Sequence, residues 1–277
     1  MVDPITLGAA QRLNYLERGN ISRARDKASS RLSTGRKVNN IQDNPHAFLL
    51  AKSLIDRSSN LLAVKSDIGR GIDTLLATQN GLDAAQKLTE QLKGIAGSAS
   101  SASGGERANL ARQFDTTRSQ LNNLVGDVSF LGANLLSNPA GTLNVRISDN
   151  PAQTFTVAGA ATDAAGLGVG QASTTYNNFA TTADINAAVA AADSAISSIQ
   201  SQGATIVSNA AILSVREKFS QNLADTLQSG AQKMVVADLN KEGARLLSAT
   251  VRDALSVTSM RITAQSDQLV VKLVQGS

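Results

Sequence analysis

The 277-residue chain is 42% hydrophobic but only 3% aromatic, contains neither Trp nor Cys, and carries a formal net charge of +4. Without Cys there is no disulfide, no thiol nucleophile and no Cys-based zinc site. Without many large rings, an apolar content drawn mainly from Ala, Leu, Val and Ile suits thin helix-on-helix seams better than one thick globular core.

Residues 1–40 offer one narrow apolar stripe that includes Leu13, Leu16, Ile21 and Leu32, interrupted by Gly19 and crowded with Arg. Such a helix is marginal alone in water and needs a partner, either the other terminus or neighbouring copies. The start Met1-Val2-Asp3-Pro4-Ile5-Thr6-Leu7 lacks the basic segment and apolar run of an ordinary secretory signal. No stretch approaches the ~20 apolar residues of a membrane helix, so membrane insertion is not expected.

Helical periodicity is clearest next. Leu61, Val64, Ile68, Ile72, Leu75, Leu82, Ala85, Leu92 and Ile95 recur at three- and four-residue steps, with Gln79 filling one step. Gly69, Gly71, Gly81 and Gly94 lie inside this pattern, each costing ~1 kcal/mol relative to Ala. Gly97 to Gly105 reads as a loop, and Leu110, Phe114, Thr117, Leu121, Leu124 and Val128 give a second helix, antiparallel to the first. Leu143, Val145 and Ile147, a break at Asp149-Asn150-Pro151, then Phe155 and Val157 predict a small β-hairpin. Residues 158–182, rich in Ala, Gly, Thr and Asn, read as irregular surface structure or a short β-excursion. From Asp184 the helical period returns through Ile185, Val189, Ala192, Ile196 and Ile199, with Gly203 as a C-cap, and resumes as Ile206, Ala210, Leu213, Phe219, Leu223 and Leu227. After Gly230 a near-heptad seam runs through Ala244, Leu247, Val251, Ala254, Thr258, Ile262, Leu269 and Leu273.

The chemistry-bearing motifs are few. His46 is the only histidine, and no HExxH, Walker, Rossmann or zinc-knuckle pattern is present. Gly166-Leu167-Gly168-Val169-Gly170 lacks the preceding strand and following Lys of a phosphate loop and reads as flexible linker. The cluster Arg23, Arg25, Lys27, Arg31, Arg36 and Lys37 is broken by Asp26 and has no aromatic for base stacking. It is assigned to inter-subunit ion pairs with Asp43, Asp238 and Glu242, and to keeping an exported terminus soluble, instead of to nucleic acid. No catalytic residue, cofactor or metal is nominated.

Three segments carry a family resemblance. Arg31-Leu32-Ser33-Thr34-Gly35-Arg36-Lys37-Val38-Asn39-Asn40-Ile41-Gln42-Asp43 resembles the bacterial flagellin pattern Arg-Leu-Ser-Ser-Gly, basic, apolar, Asn, then acidic-polar. Phe130-Leu131-Gly132-Ala133-Asn134-Leu135-Leu136 is similar to that family's Phe-Asn-Gly-x-x-Leu-Leu, and Ala237-Asp238-Leu239-Asn240-Lys241-Glu242 to its Ala-Asp-x-x-x-Glu turn. The resemblance covers residues 1–136 and 205–270. It implies a mainly α fold: a long antiparallel helical rod, a terminal coiled coil and a small β-hairpin region in the middle of the chain. The implied division is 1–40 with 240–277 as a terminal coiled coil or inner tube, 41–142 with 184–239 as the rod, and 143–183 as a short variable surface segment.

The function implied is a non-enzymatic subunit that polymerises with itself into the extracellular flagellar filament for motility. Other partners implied are an export chaperone, the filament cap and the hook-junction proteins, with type III export and no cleaved signal peptide. Leu13, Leu16, Ile21, Leu32, Leu247, Val251, Ile262 and Leu269 are the expected coiled-coil and inter-subunit contacts. The family-motif positions are Arg31, Leu32, Gly35, Asn39, Asp43, Phe130, Gly132, Asp238 and Glu242. A hook–filament junction protein and a flagellin-like cell-surface carbohydrate-binding protein are the alternatives. Only Phe155, Tyr176 and Phe179 in the middle of the chain could stack on sugar, which argues against the second. Three departures stand out: the ending Leu269–Ser277, Arg252-Asp253-Ala254-Leu255-Ser256 in place of Gln-Gln-Leu-Gly, and Leu92-Lys93-Gly94-Ile95-Ala96 where immune-stimulating flagellins carry Val-Arg-Glu-Leu-Ala.

Overall fold

The computed structural model describes residues 9–275; Met1 to Leu7, whose character bears on export, lie outside the described residues. In chain order the elements are α1 (Ala9–Thr34), α2 (Pro45–Ser98), α3 (Gly104–Asp127), β1 (Thr142–Arg146), β2 (Thr154–Ala158), a single turn at Asn177–Phe179, α4 (Thr182–Val235) and α5 (Leu239–Gln275). The fold is thus mainly α with one two-stranded antiparallel sheet. Contacts divide it into two units: Arg57–Thr226, and the two chain ends up to Asp56 and from Leu227.

Helix starts follow local chemistry. Asn44 precedes Pro45 and its side chain accepts the Ala47 N–H at 3.0 Å. The Glu106 carboxylate accepts the Ser103 N–H at 2.8 Å. Thr181 and Asp184 cap each other reciprocally, and Asp238 accepts the Lys241 N–H at 3.1 Å.

In the central unit the stripe of α2 is buried as its period predicts: Leu61, Val64, Ile68, Leu75, Leu82, Ala85, Leu92 and Ile95 lie in the core. Buried Thr74, Thr78 and Thr89 satisfy their hydroxyls by donating to carbonyls four residues back. α3 adds Ala111, Phe114, Leu121 and Val125, and α4 adds Ile185, Ala188, Ala192, Ala195, Ile199, Ile206 and Leu213. Two helix glycines have a packing reason. A Cβ on Gly71 would lie 2.6 Å from Val145 Cγ2, and one on Gly81 2.6 Å from Val128 Cγ2. The hairpin pairs Val145 with Phe155 and is tied to α2 through Arg146–Asp67 and Arg57–Asp149.

Four expectations need correction. α4 passes through Gly203 and Gly230 without a cap, because each lies on a helix face against a side chain, Gln79 and Leu54 respectively. Phe219 points to solvent, since the buried positions of this stretch are Leu213, Ser220 and Ala224. Residues 158–182 are not a loose surface excursion and 166–170 is not a free linker: Ala164, Leu167, Val169, Ala172, Tyr176 and Phe179 are buried. α3 holds that segment by its main chain. Asp115 accepts the N–H groups of Ala172 and Ser173, Arg118 donates to the Val169 carbonyl, and Asn122 accepts the Ala164 N–H. Phe114 meets Tyr176 and Phe179 edge-on, at centroid distances of 6.1 and 5.5 Å. The fourth correction, the facing of α5, belongs to the surface described next.

Candidate assembly surface

The unit built from the chain ends holds most of the motif residues. α1 ends at Gly35, whose φ of +67° is the left-handed turn that terminates helices and favours glycine. The chain then runs beside the end of α4: Lys37 N–H donates to the Val235 carbonyl at 2.7 Å, and Ala237 N–H to the Gly35 carbonyl at 2.9 Å. Val38, Ala51, Ala231 and Val235 close a small core here. Asp43 accepts the N–H groups of Asn39 at 2.9 Å and Asn40 at 3.3 Å, and these two donors hold its carboxyl below the ordinary value. The first and third motifs therefore meet at one joint.

Glu242 is the buried charge of that joint. Arg31 donates to it from α1 at 3.1 Å and Arg245 from its own helix at 2.7 Å. The Arg31–Glu242 pair expected between subunits is satisfied within one chain. Asp43 and Asp238 spend their carboxylates on local N–H groups instead. One helical stretch further on, Asp253 sits between Arg18 and Arg25, each at 3.5 Å.

α1 and α5 run antiparallel, and their shared seam is polar and small. Its buried positions are Ile21, Ala28, Ala249 and Glu242. The apolar seam expected on α5 faces the other way. Leu247, Val251, Ile262 and Leu269 are more than half exposed, as are Leu13 and Leu16 on α1; Ala244, Ala254 and Thr258 are exposed too. The side chain of Leu273 lies outside the described residues. Leu32 is half-buried. The physical reason is that the Arg31–Glu242 pair and the Arg18 and Arg25 pairs with Asp253 hold this side of α5 towards α1, which leaves the bulky stripe turned outward.

The other singled-out residues lie elsewhere. Phe130 and Gly132 form a tight turn after α3 in the central unit. Lys93 is exposed on α2 and pairs with Asp193 at 2.7 Å, and a Cβ on neighbouring Gly94 would meet nothing within 4 Å. His46 is exposed in the first turn of α2. Among the described residues no group of three His, Cys, Asp or Glu could hold a metal ion, and no helix carries an apolar stretch long enough to cross a membrane.

Sequence reasoning missed Arg18, Arg245 and Asp253 as seam residues. The three-residue spacing of Glu242 and Arg245 was a usable signal. It also missed Asn134, whose amide donates to the Val125 carbonyl at 2.7 Å and so closes α3.

Residues 8–140 match the family described as the bacterial flagellin N-terminal helical region. Flagellin FljO of Caulobacter vibrioides is 27% identical over 252 residues, covering 90% of this chain and 90% of that protein. A flagellin of Brucella melitensis is 24% identical over 261 residues, covering 91% and 92%. The solved structure of Bacillus cereus flagellin superposes with a TM-score of 0.47 and 18% identity over 56% of this chain and 88% of that one.

Proposed function

We infer that this chain, which belongs to the bacterial flagellin family, is a structural, non-enzymatic subunit that polymerises with itself into the flagellar filament. One observation carries the mechanism. The bulky apolar stripe of α5 and the Leu13–Leu16 step of α1 stay in solvent, while the contact between the two helices is small and charged. Apolar stripes of this length on an isolated pair are an unsatisfied demand for burial, and neighbouring copies supply it. Leu13, Leu16, Leu247, Val251, Ile262 and Leu269 are thus the inter-subunit contacts, while Ile21 is buried within the pair.

On this reading 1–40 and 240–277 line the inner tube, 41–142 with 184–239 form the surrounding rod, and 143–183 is a short outer segment. The chain leaves the cell through the flagellar export route and meets an export chaperone, the filament cap and the hook-junction proteins on its way. Tyr176 and Phe179 are buried, so they offer no stacking platform for sugar. The Lys93–Gly94 step makes the chain a poor ligand for the innate flagellin receptor, since Lys lacks the planar fork of Arg and is engaged by Asp193, and Gly removes the carboxylate.

Limited proteolysis tests the assembly surface. Trypsin should trim α1 and α5 from the monomer and spare them in the polymer. Equal trimming in both states would refute the assignment of these helices to the inter-subunit contact.

A further inference from the structure

α5 sorts its side chains by sector. At about 100° per residue, Leu247, Val251, Leu255, Ile262 and Leu269 fall within roughly 80° of one another, and no charged residue of the helix shares that sector. All five are between 51% and 67% exposed. Glu242 and Asp253 lie about 160–180° away, where α1 neutralises their carboxylates through Arg31 and through Arg18 and Arg25.

The free cations occupy the margins of the stripe. Lys241 and Arg252 border it on one side and Arg261 on the other, each about 80–100° from its centre. All three are exposed, and among the described residues none of them forms an ion pair. Arg245, on the same margin as Arg252, is engaged by Glu242. Glu17 of α1 lines the same groove as Arg252 but does not pair with it. The sign of charge is shared by the whole unit. The chain ends, up to Asp56 and from Leu227, carry 15 Lys and Arg against nine Asp and Glu, whereas Arg57–Thr226 carries 11 against 13.

A second copy of the stripe covers its apolar residues but brings no carboxylate to the margins, because the acids Glu242 and Asp253 of each copy face that copy's own α1. A sheet of anionic headgroups supplies counter-charge to both margins at once. An apolar stripe edged on both sides by unpaired cations suits a helix lying in the plane of an anionic bilayer. The apolar residues enter the headgroup boundary, and the long Arg and Lys side chains reach back to lipid phosphates. The stripe takes up one side only, and among the described residues no helix is long and apolar enough to cross a membrane, so the contact is attachment in the plane and not insertion.

We propose that the monomer docks through this side of α5 on an anionic lipid surface. Filament packing covers the same residues, so the monomer binds lipid and the polymer does not. Flotation tests it. Monomer should float with vesicles of phosphatidylglycerol mixed equally with phosphatidylcholine, less so as salt rises, and should stay behind with phosphatidylcholine alone. Arg252→Gln combined with Arg261→Gln should weaken binding about 20–30-fold, at about fivefold per cation, and leave seeded polymerisation unchanged. The chain has no Trp, so Leu255→Trp is a single fluorophore whose emission should shift to the blue on the anionic vesicles alone. Equal flotation with both vesicle types, no flotation with either, or filaments that float like monomer would overturn the proposal. So would a double variant that binds as tightly as the parent. Polyglutamate that binds the monomer when anionic vesicles do not would also overturn it, by making the partner an acidic protein. A parent chain that floats but never extends filament seeds sinks the filament reading and leaves this one standing.

Discussion

Leu247→Asp and Ile262→Asp separate assembly from folding. The two side chains are 67% and 60% exposed in the single chain, so most of their surface remains to be buried. Full burial of a Leu or Ile contributes about 1.5–3 kcal/mol, of which roughly 1–2 is still available at these positions. An Asp forgoes that gain and adds the cost of desolvating an unpaired carboxylate, itself a few kcal/mol. The sum is at least ~3 kcal/mol per subunit, which raises the critical concentration more than about 100-fold. The monomer loses only helix propensity, about 0.7 kcal/mol or less. Urea titration by circular dichroism reads the monomer, and sedimentation after seeding reads the polymer. Normal sedimentation of either variant refutes the outward seam. So does a monomer destabilised by several kcal/mol, because it would place these residues inside the single-chain fold.

Phe114→Ala should cost the central unit about 3–5 kcal/mol by opening a cavity among Tyr176 and Phe179; a urea midpoint near that of the parent would refute the aromatic anchor. Glu242→Gln leaves Arg31 and Arg245 facing a neutral acceptor and should cost about 1–3 kcal/mol. It should speed tryptic trimming of α1 and α5, and unchanged trimming would remove the joint's importance. Asp43, Glu106 and Asp149 are held below their ordinary values, by the Asn39 and Asn40 N–H groups, by Ser103 and by Arg57 respectively. Groups whose folded pKa is depressed contribute stability above the unfolded pKa and lose it as pH falls through the folded value. The urea midpoint should therefore decline below about pH 4, with a shallower decline in Asp149→Asn; a flat profile contradicts this. Lys93→Arg combined with Gly94→Glu meets open space at the new Cβ and should raise receptor signalling at least about tenfold in a cell reporter, as a restored hot spot would.

The long α2 stripe was legible because one face is buried along its whole length, so hydrophobic period and burial coincide from Leu61 to Ile95. The hairpin was legible for the same reason at period two. Periodicity could not decide facing where a helix has two candidate partners. α5 shows a bulky stripe to the sequence reader, but its partner in the chain takes the smaller, charged side through Ala249, Asp253 and Glu242. Phe219 misled in the same way, as an outward residue on a helix whose inward positions are Leu213, Ser220 and Ala224. Order in 158–182 was hidden because α3 holds it through Asp115, Arg118 and Asn122 to main-chain groups, and such bonds leave no trace in hydropathy. The joint was half visible: the motifs named Arg31 and Glu242 but not that they meet in one chain.

Electron microscopy of the purified chain added to filament fragments tests the central claim most directly. Helical filaments elongating from the seed ends, with α1 and α5 protected from protease along their length, are the predicted result. A chain that stays monomeric on intact seeds at every concentration, with both helices still open to protease, would contradict it.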